Sequence, residues 1–168
     1  KPVNFKLRML SEDMGGGAFN VAFNFLPTVI IACLFAPVQP PSSLINMLLC
    51  VVSVILGYIV LWEISFIVQS WSFTLFSVWG LITIKNVMVN ILAGAFIPMW
   101  FMPDWLRSAI RFTPFDSIYF TPVQIYLGEL NGAEIAFHFA RQVFWIAVLW
   151  AIGEYFWRSG IKKLVVQG

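Results

Sequence analysis

Charged and strongly polar side chains are scarce in this sequence, so the few that interrupt its apolar runs are where chemistry must be sought. Lys85 stands between two charge-free runs, 64–84 and 86–103. A lysine at the centre of a membrane helix costs about 2.5–3.5 kcal/mol on insertion scales. It should therefore face a bundle interior, a wet cavity or a carboxylate, and Glu63 is one candidate partner. Asn86 adjoins it and Asn90 lies about one helical turn further on. Lys85, Asn86 and Asn90 are the candidate pathway residues; structural pairing or snorkelling of Lys85 is the competing reading. His138 and Arg141 share a helix face at i, i+3, either reaching for an interface or lining a route.

Catalytic patterns are missing from the sequence. There is no GxxxxGK[ST], no HExxH and no GxSxG. Gly15-Gly16-Gly17 is followed by Ala18, not by Lys and Ser or Thr, and reads as a linker or joint. His138 is the one histidine, which removes a haem site needing two axial histidines. Cys33 and Cys50 both fall inside apolar runs, and two cysteines with one histidine make no credible zinc site. The expectation is a chain with no catalytic residues, no metal site and no enzymatic activity of its own. A net charge of +2 gives no reason to expect a nucleic-acid partner.

The elements that must position these residues are membrane helices. The sequence is 60% hydrophobic and 11% charged, with a mean hydropathy of +0.86. Soluble domains run at about 45–50% apolar and about 25% charged. The fold class expected is all-α: a polytopic membrane helical bundle. Residues 1–17 read as the end of a cytoplasmic loop and 18–168 as a transmembrane domain, with spans near 18–38, 43–64, 72–98 and 134–157. Pro27 falls inside the first span and predicts a kink there. The third span is the long one, about 40 Å at 1.5 Å per residue, against a hydrocarbon core of about 30 Å. It should tilt or break, with Gly80 and Gly94 as the places to do so. The competing division would split 64–103 into two crossings around Lys85. Charge favours the single crossing, with a cytoplasmic turn near 69–72. Lys1, Lys6 and Arg8 precede the first span and Arg158, Lys162 and Lys163 follow the last, so both ends should be cytoplasmic and the number of crossings even.

Between the third and last spans, residues 99–126 read as an extracytoplasmic re-entrant or interfacial hairpin. Pro98 and Pro103 stop the preceding helix. Asp104 near the start and Arg111 at the end of a short helix suit its dipole. Thr113-Pro114-Phe115-Asp116 turns the chain into a second aromatic segment. Cysteines placed at Ser108 and Ser117 should then react with an impermeant reagent from outside.

The run Gly94-Ala95-Phe96-Ile97-Pro98, then Met102-Pro103-Asp104-Trp105-Leu106, then Thr113-Pro114-Phe115-Asp116, resembles the G-x-x-I/L-P…F-P-x-W-L…L-P-F pattern of type-2 ABC exporter permeases. Tyr126-Leu127-Gly128 and the terminal Gly160…Val165-Val166-Gln167-Gly168 are similar to one bacterial branch of that family. The resemblance implies the last four of six spans, from a longer protein whose earlier part precedes Lys1. It implies that Lys6 and Arg8 lie where the ATPase is touched. It implies an outer gate hairpin carrying Pro98, Pro103, Asp104, Trp105, Pro114 and Phe115. The expected partners are an ABC ATPase subunit, a second permease copy or paralogue, and the lipid bilayer. This chain would bind no cofactor, ATP and Mg being held by the partner ATPase. The expected location is the inner membrane of a bacterium. The resulting function is the membrane-spanning subunit of an ATP-driven exporter; the alternative is a non-transporting membrane anchor or assembly subunit. The substrate is not legible, since an apolar, aromatic route suits hydrophobic drugs, lipids and peptides alike.

Overall fold

The computed structural model describes residues 5–35, 39–71 and 78–165. Lys1, the end of the first expected span at 36–38, residues 72–77 before α4, the side chains of Lys162 and Lys163, and 166–168 lie outside what it describes. The chain divides into two compact units, 1–40 and 41–168. Among the described residues every regular element is helical, and the fold is an all-α membrane helical bundle.

The first unit is one helix in three stretches: α1 (Phe5–Asn20), a π turn (Val21–Phe25) and α2 (Leu26–Phe35). The triple glycine is not a joint. Gly15 to Gly17 continue α1, although glycine costs about 1 kcal/mol relative to alanine inside a helix. In a membrane the alternative is worse, because a broken helix exposes backbone groups with no water to satisfy them. Pro27 acts as expected of a proline in a span, but by widening a turn. Leu26 N–H donates to Val21 O in the π register immediately before it. Thr28 Oγ1 donates to Asn24 O at 2.6 Å, one turn back along the same helix. Phe19, Phe23, Ile30 and Leu34 are exposed on this helix, as lipid-facing side chains should be.

The second unit holds α3 (Leu44–Trp71), α4 (Val78–Leu92), α5 (Asp104–Arg111), α6 (Phe120–Leu127) and α7 (Gly132–Val165). Its organising contact is α3 against α7. Ser53 meets Gln142 towards one end, and Phe66 meets Trp157 at 5.9 Å towards the other. The two helices therefore run parallel. α4 returns antiparallel beside α3, since Lys85 reaches Ser65 while Val89 packs with Val60. A core of Val60, Val89, Ala93, Ile118 and Leu149 joins the three helices to the hairpin.

Among the described residues, three helices are long and apolar enough to cross a membrane: Lys6–Phe35, Leu44–Trp71 and Gly132–Gly160; Trp79–Leu92 is a shorter apolar helix. α3 runs through Gln69 to Trp71, where a turn was expected, and residue 72 is not described. α4 ends at Leu92, before Pro98. The cause is Gly94, one of the two glycines singled out as a breaking point, which takes φ +86°. Ala95 and Phe96 N–H groups both donate to Asn90 O at 3.0 Å, closing the helix end. At the other side of the hairpin, Gly128 at φ +74° ends α6. Asn131 and Glu134 then cap α7 reciprocally: Asn131 N–H donates to Glu134 Oε2 at 2.8 Å, and Glu134 N–H to Asn131 Oδ1 at 3.0 Å.

Candidate functional site at the root of the hairpin

The hairpin is built from proline-set turns. Pro98, half-buried, leads into a short 3₁₀ turn at Met99–Phe101, and Pro103 precedes α5. Arg107 holds that turn with its guanidinium: Nε donates to Met99 O at 3.3 Å, and Nη2 to Met102 O at 3.1 Å and Trp100 O at 3.3 Å. Its pairing with Asp104, at 3.5 Å on an open surface, adds little. Met99, Met102 and Ile110 form a small core under Leu92, Leu106, Phe115 and Phe120. Pro114 is buried and Phe115 bridges this cluster and the main core, whereas Asp104 and Trp105 are exposed. The proposed gate residues thus divide into a packed root and an open tip.

The root penetrates deeply. Ile118 lies in the core beside Val60, and Gly57 lies directly beneath the hairpin backbone. A Cβ on Gly57 would sit 2.8 Å from Ile118 O and 2.9 Å from Ser117 O, so only glycine allows this approach. Gly57 is about 20 Å along α3 from Leu44 at 1.5 Å per residue. The segment therefore reaches well below the start of α3.

Buried polar side chains fasten it there. Asp116, at the turn, is paired with Arg141 Nη2 of α7. Arg141 Nη1 donates to Arg111 O at 3.1 Å, so one guanidinium grips both arms of the hairpin. His138 Nδ1 lies 3.1 Å from Arg141 Nη2 and 3.3 Å from Thr121 Oγ1. An arginine N–H can only donate, so Nδ1 accepts and the ring proton sits on Nε2. Gln142, fully buried, donates through Nε2 to Ser117 O at 2.9 Å and to Ser53 O and Oγ, both at 3.1 Å. Asp116 lies in the connection between spans; burial pushes its carboxyl up to about 6 against the downward pull of Arg141 and Ser117. Ser117 is buried beneath Gln142, so the expectation that a reagent would reach it is corrected; Ser108 is exposed.

A cavity of about 670 Å³ opens above this root, between the hairpin and the first turns of α7. Arg111, Gln124, Glu129, Phe137, His138 and Arg141 are among its lining residues.

The pathway candidates lie elsewhere. Lys85, half-buried, donates from Nζ to Ser65 Oγ at 2.9 Å across the α3–α4 contact, while Glu63 on the same helix as Ser65 is fully buried. Asn86 is exposed and Asn90 is half-buried, its carbonyl closing the end of α4. The structure does not bring these three to the hairpin root. In the first unit, Lys6 is buried and Arg8 is exposed, pairing with Glu12 at 2.9 Å. The residues that sequence reasoning passed over are Ser53, Gly57, Thr121 and Gln142. Gln142 beside Arg141, both within an apolar span, was the available signal.

Among the described residues no three His, Cys, Asp or Glu side chains group as metal ligands would. A family model described as ABC-2 family transporter protein matches residues 1–168. No curated protein and no solved structure matches the chain. With three long apolar helices, a shorter fourth and a match over its whole length, the chain belongs to the ABC-2 transporter family, as a multi-pass membrane protein of the permease type.

Proposed function

We propose that this chain is the membrane-spanning subunit of an ATP-driven exporter, forming a route with a second permease and powered by separate ATPase subunits. The family match over residues 1–168 carries this reading. The second unit supplies the part that would move. α3, α7 and the hairpin root share one core and one buried polar network, so they form a rigid body rather than a scaffold with a loose flap. The exposed tip, with Asp104 and Trp105, would meet its counterpart on the second permease. ATP binding by the partner subunits would favour one arrangement of the permease pair over another, which requires the ATPase to bind one state better. Arg8, exposed near the start of α1, is the residue offered to the ATPase; Lys6 is buried in this chain. Both ends of the segment would face the cytoplasm.

The test is copurification of the full-length protein with an ATPase, followed by substitution of Arg8 with glutamate. The expected result is a stable complex whose ATP hydrolysis responds to substrate, and severalfold weaker association for Arg8→Glu. A full-length protein that recruits no ATPase would instead be a membrane anchor, and the exporter reading would fall.

A further inference from the structure

The cavity above the hairpin root is not needed by the reading just given, and its chemistry is specific. Its lining carries both charge signs. Arg141 and Asp116 are paired with each other, although the buried Arg141 Nε has no hydrogen-bond partner among the described residues, and Glu134 is engaged in capping α7. Two opposite charges remain. Neither Arg111 nor Glu129 makes a side-chain hydrogen bond or ion pair among the described residues. The Nε2–H of His138 is also left over, because Nδ1 already serves Arg141 and Thr121. Gln124 adds an amide without a side-chain partner among the described residues.

These groups are ordered by depth. The backbone of Arg111, which carries an exposed side chain on the cavity lining, is the lower of the two, since its carbonyl accepts from Arg141, about 14 Å along α7 from Gly132 at 1.5 Å per residue. Glu129 lies at the rim, in the turn that precedes α7. The helix Gly132–Gly160 would measure about 43 Å, well over a hydrocarbon core of about 30 Å. That excess lets its first turns stand among lipid headgroups. A purely anionic ligand would meet Glu129, and a purely cationic one would meet Arg111.

The geometry points to a binding site for a phosphate–ammonium zwitterion, with phosphate on Arg111 and His138 Nε2–H and ammonium on Glu129. That order, anion deep and cation at the rim, is the order in which an aminophospholipid presents its headgroup from a bilayer. Free phosphoethanolamine carries the same chemistry. The site stands without the transport reading, because a chain that recruits no ATPase would still bind this ligand.

Equilibrium binding to the full-length protein in detergent tests it, using short-chain phosphatidylethanolamine, short-chain phosphatidylglycerol and phosphoethanolamine. The expected result is about tenfold preference for the ethanolamine lipid over the glycerol lipid, the worth of one or two charge-assisted hydrogen bonds. Arg111→Gln should weaken ethanolamine-lipid binding by a similar factor. Glu129→Gln should erase the preference by admitting the glycerol lipid. Both side chains are exposed, so neither change should disturb folding, which circular dichroism checks. Phosphoethanolamine binding as tightly as the lipid would support the site and assign it to a soluble zwitterion; binding by the lipid alone would support it and assign it to a headgroup. Equal binding of the two lipids by the unaltered protein, or binding indifferent to both substitutions, would overturn it.

Discussion

Asp116 and Arg141 stand to each other as a buried pair whose members cannot be changed singly without cost. Removing one partner leaves a buried charge, at a typical cost of about 3–5 kcal/mol, whereas replacing both with apolar groups is often nearly neutral. Asp116→Asn and Arg141→Gln should each lower the unfolding midpoint of the purified protein in detergent. A double change to leucine should recover much of the loss. Additive losses across that cycle would show that the two side chains act separately. The cost of Arg141 in an apolar run was legible in the sequence, and so was the polarity of Asp116. Their pairing was not, because it depends on which turn of α7 the hairpin reaches. Lys85 was legible in the same limited way. Its expense was plain, but its hydroxyl partner Ser65 follows from the register of α4 on α3, which no periodicity in an all-apolar run can fix.

At the scale of elements, the hairpin and α3 are joined by backbone proximity as much as by side chains. Gly57 is the position where that proximity can be tested, since a Cβ there meets two carbonyl oxygens below 3.0 Å. Overpacking of this kind typically costs about 1–3 kcal/mol. Ser117 reports it directly. A cysteine at Ser117 should resist thiol reagents in the otherwise unaltered hairpin, because that position is fully buried under Gln142. Adding Gly57→Val should lift the hairpin and make the same cysteine react. If reactivity stays absent, the hairpin is held by Asp116–Arg141 and its own core, and the contact with Gly57 is incidental. The sequence announced the hairpin through its prolines and aromatic residues. It did not announce the depth, since that rests on one glycine in a run that looks like any other span. The triple glycine misled for a related reason: composition suggests a joint, but a helix that must satisfy its own backbone keeps going.

At the scale of the molecule, the direction of the helices decides where the hairpin lies. α3 and α7 run parallel, so the chain must return between them, and α4 beside α3 is the return. The hairpin cluster of Met99, Met102 and Ile110 packs against Leu92, the last residue of α4. On the proposed topology the first helix would also cross, the crossings would be even in number, and the basic residues at both ends of the sequence would place the hairpin outside. Ser108, exposed on α5, tests this. In a protein with Cys33 and Cys50 replaced by alanine, a cysteine at Ser108 should react with an impermeant maleimide added to intact cells. A cysteine at Glu12, exposed on α1, should react only after the membrane is opened. The reverse pattern would invert the molecule, and labelling of both from outside would mean that the first helix does not cross. In the inverted case the exposed tip would face the ATPase side, and Asp104 and Trp105 would be sought in a contact with that subunit instead of at an exit.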